Sequence, residues 1–508
     1  MSSNNKFIDL GIDFGAENII ITAIGTDNLG RKDYKLISLD GLNVTKNYIG
    51  IKENNFLEIG KNPKLFLVNN NNSNEYKNLY GRYKKDIGFS EEINALLPLI
   101  FENIINKVEN FDFSKLLSGK LRNLCVGIPQ NWQEIQKEVY LKALSKWKHG
   151  EVFLLSEPIA ASISANSKLL SHINNNVVCF VDIGASTIDL SFVDYSDKTP
   201  FIYPQAFREI YSGHYFDLLF LYFAITADIN KLSLNDIINI KERYKLKTID
   251  DFLVELSNKK YSHLLLEIEI IKEDFINEII KFGRKKLIDT GFKTPLTIDK
   301  KIYDTAFNYY IQRLADFINN SVSKLSFEGK NITLFLCGGG GLFFNIDKEI
   351  RSYLNFNFTD ILSSKDYYFE SKTDITISLG LASYASNKNI ISKKSNFNFE
   401  LELFDEDNNK PIYIEILKEG SLIPSKKSLY EVIEQTELKM FENGSEKIEF
   451  NFIKKNDYLN NSNTIVFKNN PKFEKGDYFD IVFQFEYSDI IKVELINLSK
   501  NITETICI

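Results

Sequence analysis

The sequence predicts a duplicated α/β domain over residues 1–388, a short linker at 389–396, and an all-β module over 397–508. Three observations carry this expectation. "FIDLGIDFGAENIIITAIG" (Phe7 to Gly25) is echoed by "VVCFVDIGASTIDLSFVDY" (Val177 to Tyr195): an apolar run ending near an aspartate, a turn of small residues, and a second apolar run. Aligning Asp13 with Asp182 matches Gly15 with Gly184, Ala16 with Ala185 and Ile19 with Ile188, all at an offset of 169. Between about Phe7 and Asn389, strand-like runs alternate with longer helical patterns, as in layered α/β proteins. Beyond Phe397 only short alternating runs separated by turn residues remain.

Each element has a local reason. Phe7–Phe14, Ile19–Gly25, Leu124–Ile128, Val152–Ser156, Val177–Asp182, Asp189–Asp194 and Leu334–Cys337 are apolar runs bounded by turn formers, and are predicted as strands. Trp132–Lys146, Phe216–Ala227, Glu273–Leu287, Tyr303–Leu325 and Thr376–Ser386 follow helical patterns. "NKNIISKKSN" (Asn387 to Asn396) is polar enough for a linker. "FNFELELF", "PIYIEILK", "SLYEVIEQTELKMF", "KIEFNFIK", "FDIVFQFEYS" and "IIKVELINL" then supply the strands of the β module.

Composition narrows the function classes. A chain of 508 residues, 44% hydrophobic and 25% charged, has ample length for large cores. A net charge of -7 and a pI near 5.5 argue against a nucleic-acid partner, which needs concentrated basic surface. The four cysteines lack zinc spacing, and Cys125, Cys179 and Cys337 sit in apolar runs, as small core residues do. His149, His172, His214 and His263 show no ligand spacing, and Trp132 and Trp147 read as packing residues. No secretory leader and no membrane-length apolar run is visible, so a cytoplasmic protein with no membrane partner is expected.

The repeated turns suggest chemistry. A strand followed by a tight turn of small residues can aim successive backbone N–H groups at one point, which suits an anion. A carboxylate at the strand end can hold Mg²⁺ through its water shell. One such turn is weak evidence, because hairpins use glycine for conformation alone; two, each flanked by strands, suggest one phosphate clamp from each half. A third element, "ITLFLCGGGGLFFNIDKEI" (Ile332 to Ile350), is expected to run from a buried strand into Gly338-Gly339-Gly340-Gly341 and then an amphipathic helix. Four glycines there are expected to let a nucleotide approach the backbone rather than to serve packing.

These segments together resemble the DnaK-type heat-shock chaperone family, a branch of the actin-like ATPase superfamily. "GIDFGAEN" is similar to its first phosphate motif and "VDIGASTIDLSF" to its second. "LLSEPIAASISA" (Leu154 to Ala165) and "DITISLGLASYA" (Asp374 to Ala385) resemble its connecting motifs, and "CGGGGL" its adenosine motif. "VGIPQNWQEIQKEVYLKAL", "YKNLYGR" and "SGHYFD" match further segments in order, so the resemblance spans nearly 390 residues. "EGSLIPSKKSLYEV" and "FDIVFQFEYSDIIKVELINLSKNITETICI" resemble strands of the family's substrate-binding β-sandwich, while the helical lid that follows it in the family has no counterpart. The fold implied is a two-lobed actin-like ATPase domain with a duplicated core, followed by a β-sandwich.

The resemblance also implies roles. ATP or ADP with Mg²⁺ would be the cofactors, with Asp13 and Asp182 holding the metal's water shell. Lys77 falls on the catalytic lysine, and Glu157 on an acid coupling the metal site to the linker; an acid at a helix N-terminus is the competing reading of Glu157. Thr187 and Asp189 would line the terminal phosphate. Gly11, Gly15, Ala16, Glu17, Asn18, Gly184, Ala185, Ser186, Gly213 and Asp374 fall on phosphate-side positions. Gly338, Gly339, Gly340 and Leu342 fall on the adenosine side, as do Arg284 and Lys285, for which a solvated helix face competes. The partners implied are extended peptides or unfolded protein segments, together with co-chaperones.

Departures from the pattern lower the expected turnover. Ala16 and Glu17 stand where the first motif usually has threonines, and a carboxylate at position 17 would repel phosphate. Leu342 replaces an arginine that stacks on adenine, and Lys281 replaces an acidic contact. The linker lacks the apolar acidic-leucine pattern of the family. The expectation is therefore a slow ATPase of chaperone type; the alternatives are a nucleotide-binding scaffold with little hydrolysis, and an actin-like filament protein.

Overall fold

The computed structural model of the chain describes residues 6–507 other than 28, 40, 42, 70–74, 82, 131, 174–175, 197–200, 204, 228–261, 273–275, 289–294, 326, 328–329, 343–344, 371–372, 388–391, 396, 406–409, 419–420, 424, 434–437, 440–446, 457–458, 469–473 and 486–490. The fold is mixed α/β with several sheets. It divides into two compact units, Met1–Phe192 with Ala206–Ser386, and Val193–Gln205 with Asn387–Ile508.

The first unit repeats one sheet plan. Its first half contains β1 (Phe7–Phe14), β2 (Asn18–Thr26), β3 (Lys32–Ile37), β4 (Thr45–Lys46), β5 (Tyr48–Lys52), β6 (Leu57–Ile59), α1 (Lys61–Asn69), β7 (Tyr76–Gly81), α2 (Glu91–Glu109), β8 (Lys120–Ile128), α3 (Glu134–Ala143), β9 (Val152–Ser156) and α4 (Glu157–Ile173). Strand order is β3-β2-β1-β8-β9, with β4 beside β2. β1 pairs antiparallel with β2 and parallel with β8. β5, β6 and β7 form a small separate sheet.

The second half contains β10 (Val177–Ile183) and β11 (Ile188–Asp194). After β12 (Phe201–Ile202), which belongs to the second unit, come β13 (Phe207–Glu209), α5 (Gly213–Ala227), α6 (Ser262–Ile270), α7 (Ile276–Phe282) and the hairpin β14 (Lys286–Ile288) and β15 (Leu296–Ile298). α8 (Lys300–Val322), β16 (Ile332–Cys337), α9 (Ile346–Glu349), β17 (Phe358–Ser363), the hairpin β18 (Phe369–Glu370) and β19 (Thr373–Asp374), and α10 (Thr376–Ser386) complete it. Strand order is β17-β16-β10-β11, with β13 on β11. β10 runs parallel to β16, and β16 to β17. The plan of the first half therefore recurs, with β10 in the place of β1, β11 of β2, β16 of β8 and β17 of β9. Every residue of β10, β11 and β16 is buried, as expected for strands covered on both faces.

α10 packs so closely that only glycine fits at two points. A Cβ on Gly11 would lie 2.1 Å from the Ser378 carbonyl oxygen and 2.4 Å from the Ala382 nitrogen. One on Gly380 would lie 1.8 Å from the Ala160 carbonyl oxygen of α4. Gly11 is thus explained by packing against α10, not by a ligand.

The strands predicted between residues 7 and 337 fall within observed ones, whereas in the β module Phe397, Lys418 and Leu498 lie just outside the strands their runs predict, and Leu429–Val432 of "SLYEVIEQTELKMF" form a short helix. One helical expectation fails: Glu273–Leu287 is not continuous helix, because α7 ends at Phe282 and Lys286 opens β14. Gly283, at φ 63°, ends the helix in the left-handed conformation glycine favours. The segment after the glycine run is also less helical than expected, with 3-10 turns at Gly339–Leu342 and Ile350–Tyr353 on either side of the four residues of α9. Cys125, Cys179, Cys337, Trp132 and Trp147 are buried, as expected. Among the described residues, no helix is long and apolar enough to cross a membrane.

The second unit is antiparallel β, apart from the parallel contact of β12 with β20 (Ser392–Lys394), which in turn pairs with β23 (Leu422–Ile423). The polar segment expected as linker therefore contains a strand. β21 (Asn398–Asp405), β22 (Lys410–Leu417), β26 (Lys447–Asn456) and β27 (Leu459–Lys468) form one sheet in the order β22-β21-β26-β27. β24 (Ser425–Ser428), β28 (Tyr478–Phe485), β29 (Ile491–Asn497) and β30 (Ile502–Cys507) form another, with β25 (Leu438–Lys439) beside β28. Both contribute to one hydrophobic core, in which the Phe399 and Phe483 rings meet at 5.3 Å.

Candidate functional site

The repeated turns have the same backbone closure. The Gly15 N–H donates to the Asn18 carbonyl at 2.8 Å, and the Gly184 N–H to the Thr187 carbonyl at 3.0 Å. A Cβ on Gly15 would lie 2.8 Å from the Asn18 oxygen, and one on Gly184 3.1 Å from the Thr187 oxygen. The tightness of the turns accounts for both glycines, and the offset of 169 holds for the hydrogen bond as it does for the residue types.

Five carboxylates act on one another behind these turns. Asp13 is pushed up to about 7, first by burial, then by Glu157, with Asp374 adding and Lys84 opposing. Asp182 is pushed well above the usual carboxylate range by burial, then by Glu157, Asp189, Asp13 and Asp374. Glu157, the first residue of α4, is ion-paired with Lys84 at 2.5 Å, and both are buried. Crowded carboxylates with one lysine among them are poorly compensated, and a bound cation is the natural complement. Among the described residues, no group of three or more His, Cys, Asp or Glu is arranged to ligate a metal directly. Asp13 and Asp182 therefore fit a water-mediated ion better than a closed protein cage.

On the second turn, the Thr187 hydroxyl donates to Asp189 Oδ2 at 2.9 Å, and Arg208 Nε donates to Oδ1 at 2.7 Å. Burial still raises the Asp189 pKa, with Arg208 opposing. The carbonyls of Gly184 and Ala185 accept from the N–H groups of Gly213 and His214, at 3.0 and 2.9 Å. Gly213 thus braces the turn, and its N–H is already engaged there.

Other expected site residues separate. Lys77 is exposed on β7, so the lysine beside the carboxylates is Lys84, on the 3-10 turn Tyr83–Asp86. Arg284 is exposed and pairs with Glu278 at 3.0 Å, and Lys285 is exposed 3.8 Å from Asp299. Both positions are solvated, but they follow the end of α7 and lie on no helix face. Lys272 is nearer the second turn, 2.7 Å from Asp217 and within 3.5 Å of the Gly213 carbonyl. Glu17 is buried, accepting from the Tyr48 hydroxyl at 2.7 Å and pairing with Lys64 at 3.3 Å. Lys64 also binds Glu269 of α6. The expected uncompensated charge at Glu17 is therefore already neutralised.

The glycine run has a packing role after all. Gly338 has φ 78°, and a Cβ there would lie 2.3 Å from Asp182 Oδ1; one on Gly340 would lie 2.1 Å from Ile183 Cγ2. Only Gly339 faces open space. The Leu342 side chain lies outside the described residues. Asp374 accepts from the Gly338 N–H (2.9 Å), the Ser364 hydroxyl (2.6 Å), and the Thr376 N–H and hydroxyl (2.9 and 2.6 Å). With four donors it serves to hold the glycine run and the start of α10, not a cofactor. Sequence reasoning missed Lys84, Lys272, Lys64 and Arg208. The lysines of "YKKDIG" were the available signal, passed over because the family pattern points to "YKNLYGR".

No protein-family model matches the chain, and no curated protein aligns with it.

Proposed function

We propose that the protein is a slow, Mg²⁺-dependent ATPase of DnaK type, with a two-lobed actin-like nucleotide domain and a β-sandwich that binds extended peptide. The observation that carries this reading is the pair of identically closed turns, each following an aspartate, half-buried Asp13 and buried Asp182, and associated with the Lys84–Glu157 pair. Backbone N–H groups of the two turns would take the phosphates, and Gly339 would let adenosine near the backbone. Asp13 and Asp182 would hold Mg²⁺ through water, and the ion, when bound, supplies compensating charge for phosphates and carboxylates. Lys84 would offset charge developing on the terminal phosphate as water cleaves ATP to ADP and phosphate. Its tight pairing with Glu157 and the full occupation of Asp189 favour low turnover, and these same contacts support a second reading, a nucleotide-dependent scaffold. In the second unit, β22 and β27 end their sheet and carry exposed Tyr413 and Val466, features that suit strand-like capture of a peptide.

Single-turnover ATP hydrolysis, with and without an extended peptide, tests the proposal. Mg²⁺-dependent turnover that falls by about 100-fold in Lys84→Ala is expected, of the size seen when one stabilising charge is lost. Equal near-background rates in parent and variant favour the scaffold.

A further inference from the structure

The two turns share a closure but are braced by different groups. A trans peptide carries its carbonyl and N–H on opposite sides, so tying back a carbonyl sets where the next residue's N–H points. In the second turn, the first two N–H groups of α5 bind the Gly184 and Ala185 carbonyls. The N–H groups of Ala185 and Ser186 are thereby turned the other way. Among the described residues, no helix does this for the first turn. A single residue, Asn47, binds both carbonyls: its Nδ2 donates to the Gly15 carbonyl at 2.7 Å and its backbone N–H to the Glu17 carbonyl at 2.8 Å. The N–H groups of Ala16 and Asn18 therefore face away from Asn47.

Asn47 is itself fixed. It is 1% exposed, directly follows β4, and accepts from the Tyr83 hydroxyl at Oδ1. That bond leaves the amide NH₂ to face Gly15. Tyr83 precedes Lys84 on one 3-10 turn, so neighbouring residues serve the first turn and Glu157. We propose that Asn47, oriented by Tyr83, is the positioning residue that directs the first turn's N–H groups at nucleotide phosphates. The inference rests on the nucleotide reading above.

Equilibrium affinities of the full chain for adenosine, AMP, ADP and ATP test it in the parent, Asn47→Ala and Tyr83→Phe, with thermal unfolding recorded alongside. Asn47→Ala is expected to weaken ADP and ATP by about tenfold while adenosine changes by less than about twofold, since the lost contacts serve phosphate. Tyr83→Phe is expected to shift ADP and ATP in the same direction by about threefold, and it carries the test if Asn47→Ala does not fold. Equal losses for adenosine and ATP, or no loss in a folded variant, overturn the inference alone. A parent that binds none of the four overturns the nucleotide reading, and the inference with it.

Discussion

The turn after β1 and the turn after β10 have one backbone and two chemistries. Both close glycine to the third residue on, and both follow an aspartate whose pKa is raised. The second keeps a hydroxyl, Thr187, on a carboxylate, Asp189, which is anchored by Arg208. The first has Asn18 at the position of Thr187, and its Glu17 is committed to Lys64 and Tyr48. The two turns thus share a hydrogen-bond geometry, which any side chain at the middle positions permits, while the polar groups around them differ.

Lys84 belongs to the first half and gives the largest expected contrast. Lys84→Ala should cost about 100-fold in single-turnover hydrolysis, whereas Lys77→Ala should stay within about twofold of the parent, because Lys77 is exposed. The reverse outcome would restore the lysine that the family pattern indicates. Next comes the contrast between Glu17 and its counterpart Ser186. Glu17→Ala breaks a buried ion pair and should lower unfolding stability by about 3 kcal/mol, while Ser186→Ala should change it by less than about 0.5 kcal/mol. Tighter ATP binding by Glu17→Ala without loss of stability would show that its charge repels phosphate after all.

A smaller effect concerns the aspartates. Asp13 rises from the ordinary 3.8 to about 7 in the folded protein. The folded state then binds more protons than the unfolded one, so this contribution to stability is present at low pH and is lost as pH rises through about 7. Nucleotide-free protein should gain about 1 kcal/mol between roughly pH 8 and pH 6, and Asp13→Asn should flatten that slope. Denaturant unfolding at several pH values checks it; an unchanged slope in Asp13→Asn would place the proton elsewhere. Another contrast lies within the glycine run. Gly339→Ala meets open space and should fold as the parent does, whereas Gly340→Ala collides with Ile183 and should lose about 2 kcal/mol. Thermal melts of both variants separate a ligand-facing glycine from a packing one.

Much of the fold was legible because the repeat lies in the strands themselves. Apolar runs at Phe7–Phe14 and Val177–Ile183 bury on both faces, and their spacing from Asp13 and Asp182 survives in the hydrogen bonds. The site was legible only where local sequence sets local geometry, as in the two turns and the Thr187–Asp189 pair. Charges arriving from distant elements were not. Lys84, Lys64, Lys272 and Arg208 reach their partners through tertiary packing, and nothing in "YKKDIG" distinguishes a buried lysine from an exposed one. Glycines misled for a related reason: Gly11, Gly338 and Gly340 are explained by neighbours remote in sequence, which no local pattern reveals.

The central claim is a phosphate clamp made of one turn and one aspartate from each half. Titration of ADP into the parent, Asp13→Asn and Asp182→Asn, each with and without Mg²⁺, tests it most directly. Binding that is strengthened by Mg²⁺ in the parent, with the Mg²⁺ gain reduced by about tenfold in each variant, is the predicted result. Absence of binding in the parent, or a Mg²⁺ gain untouched by either substitution, would contradict it.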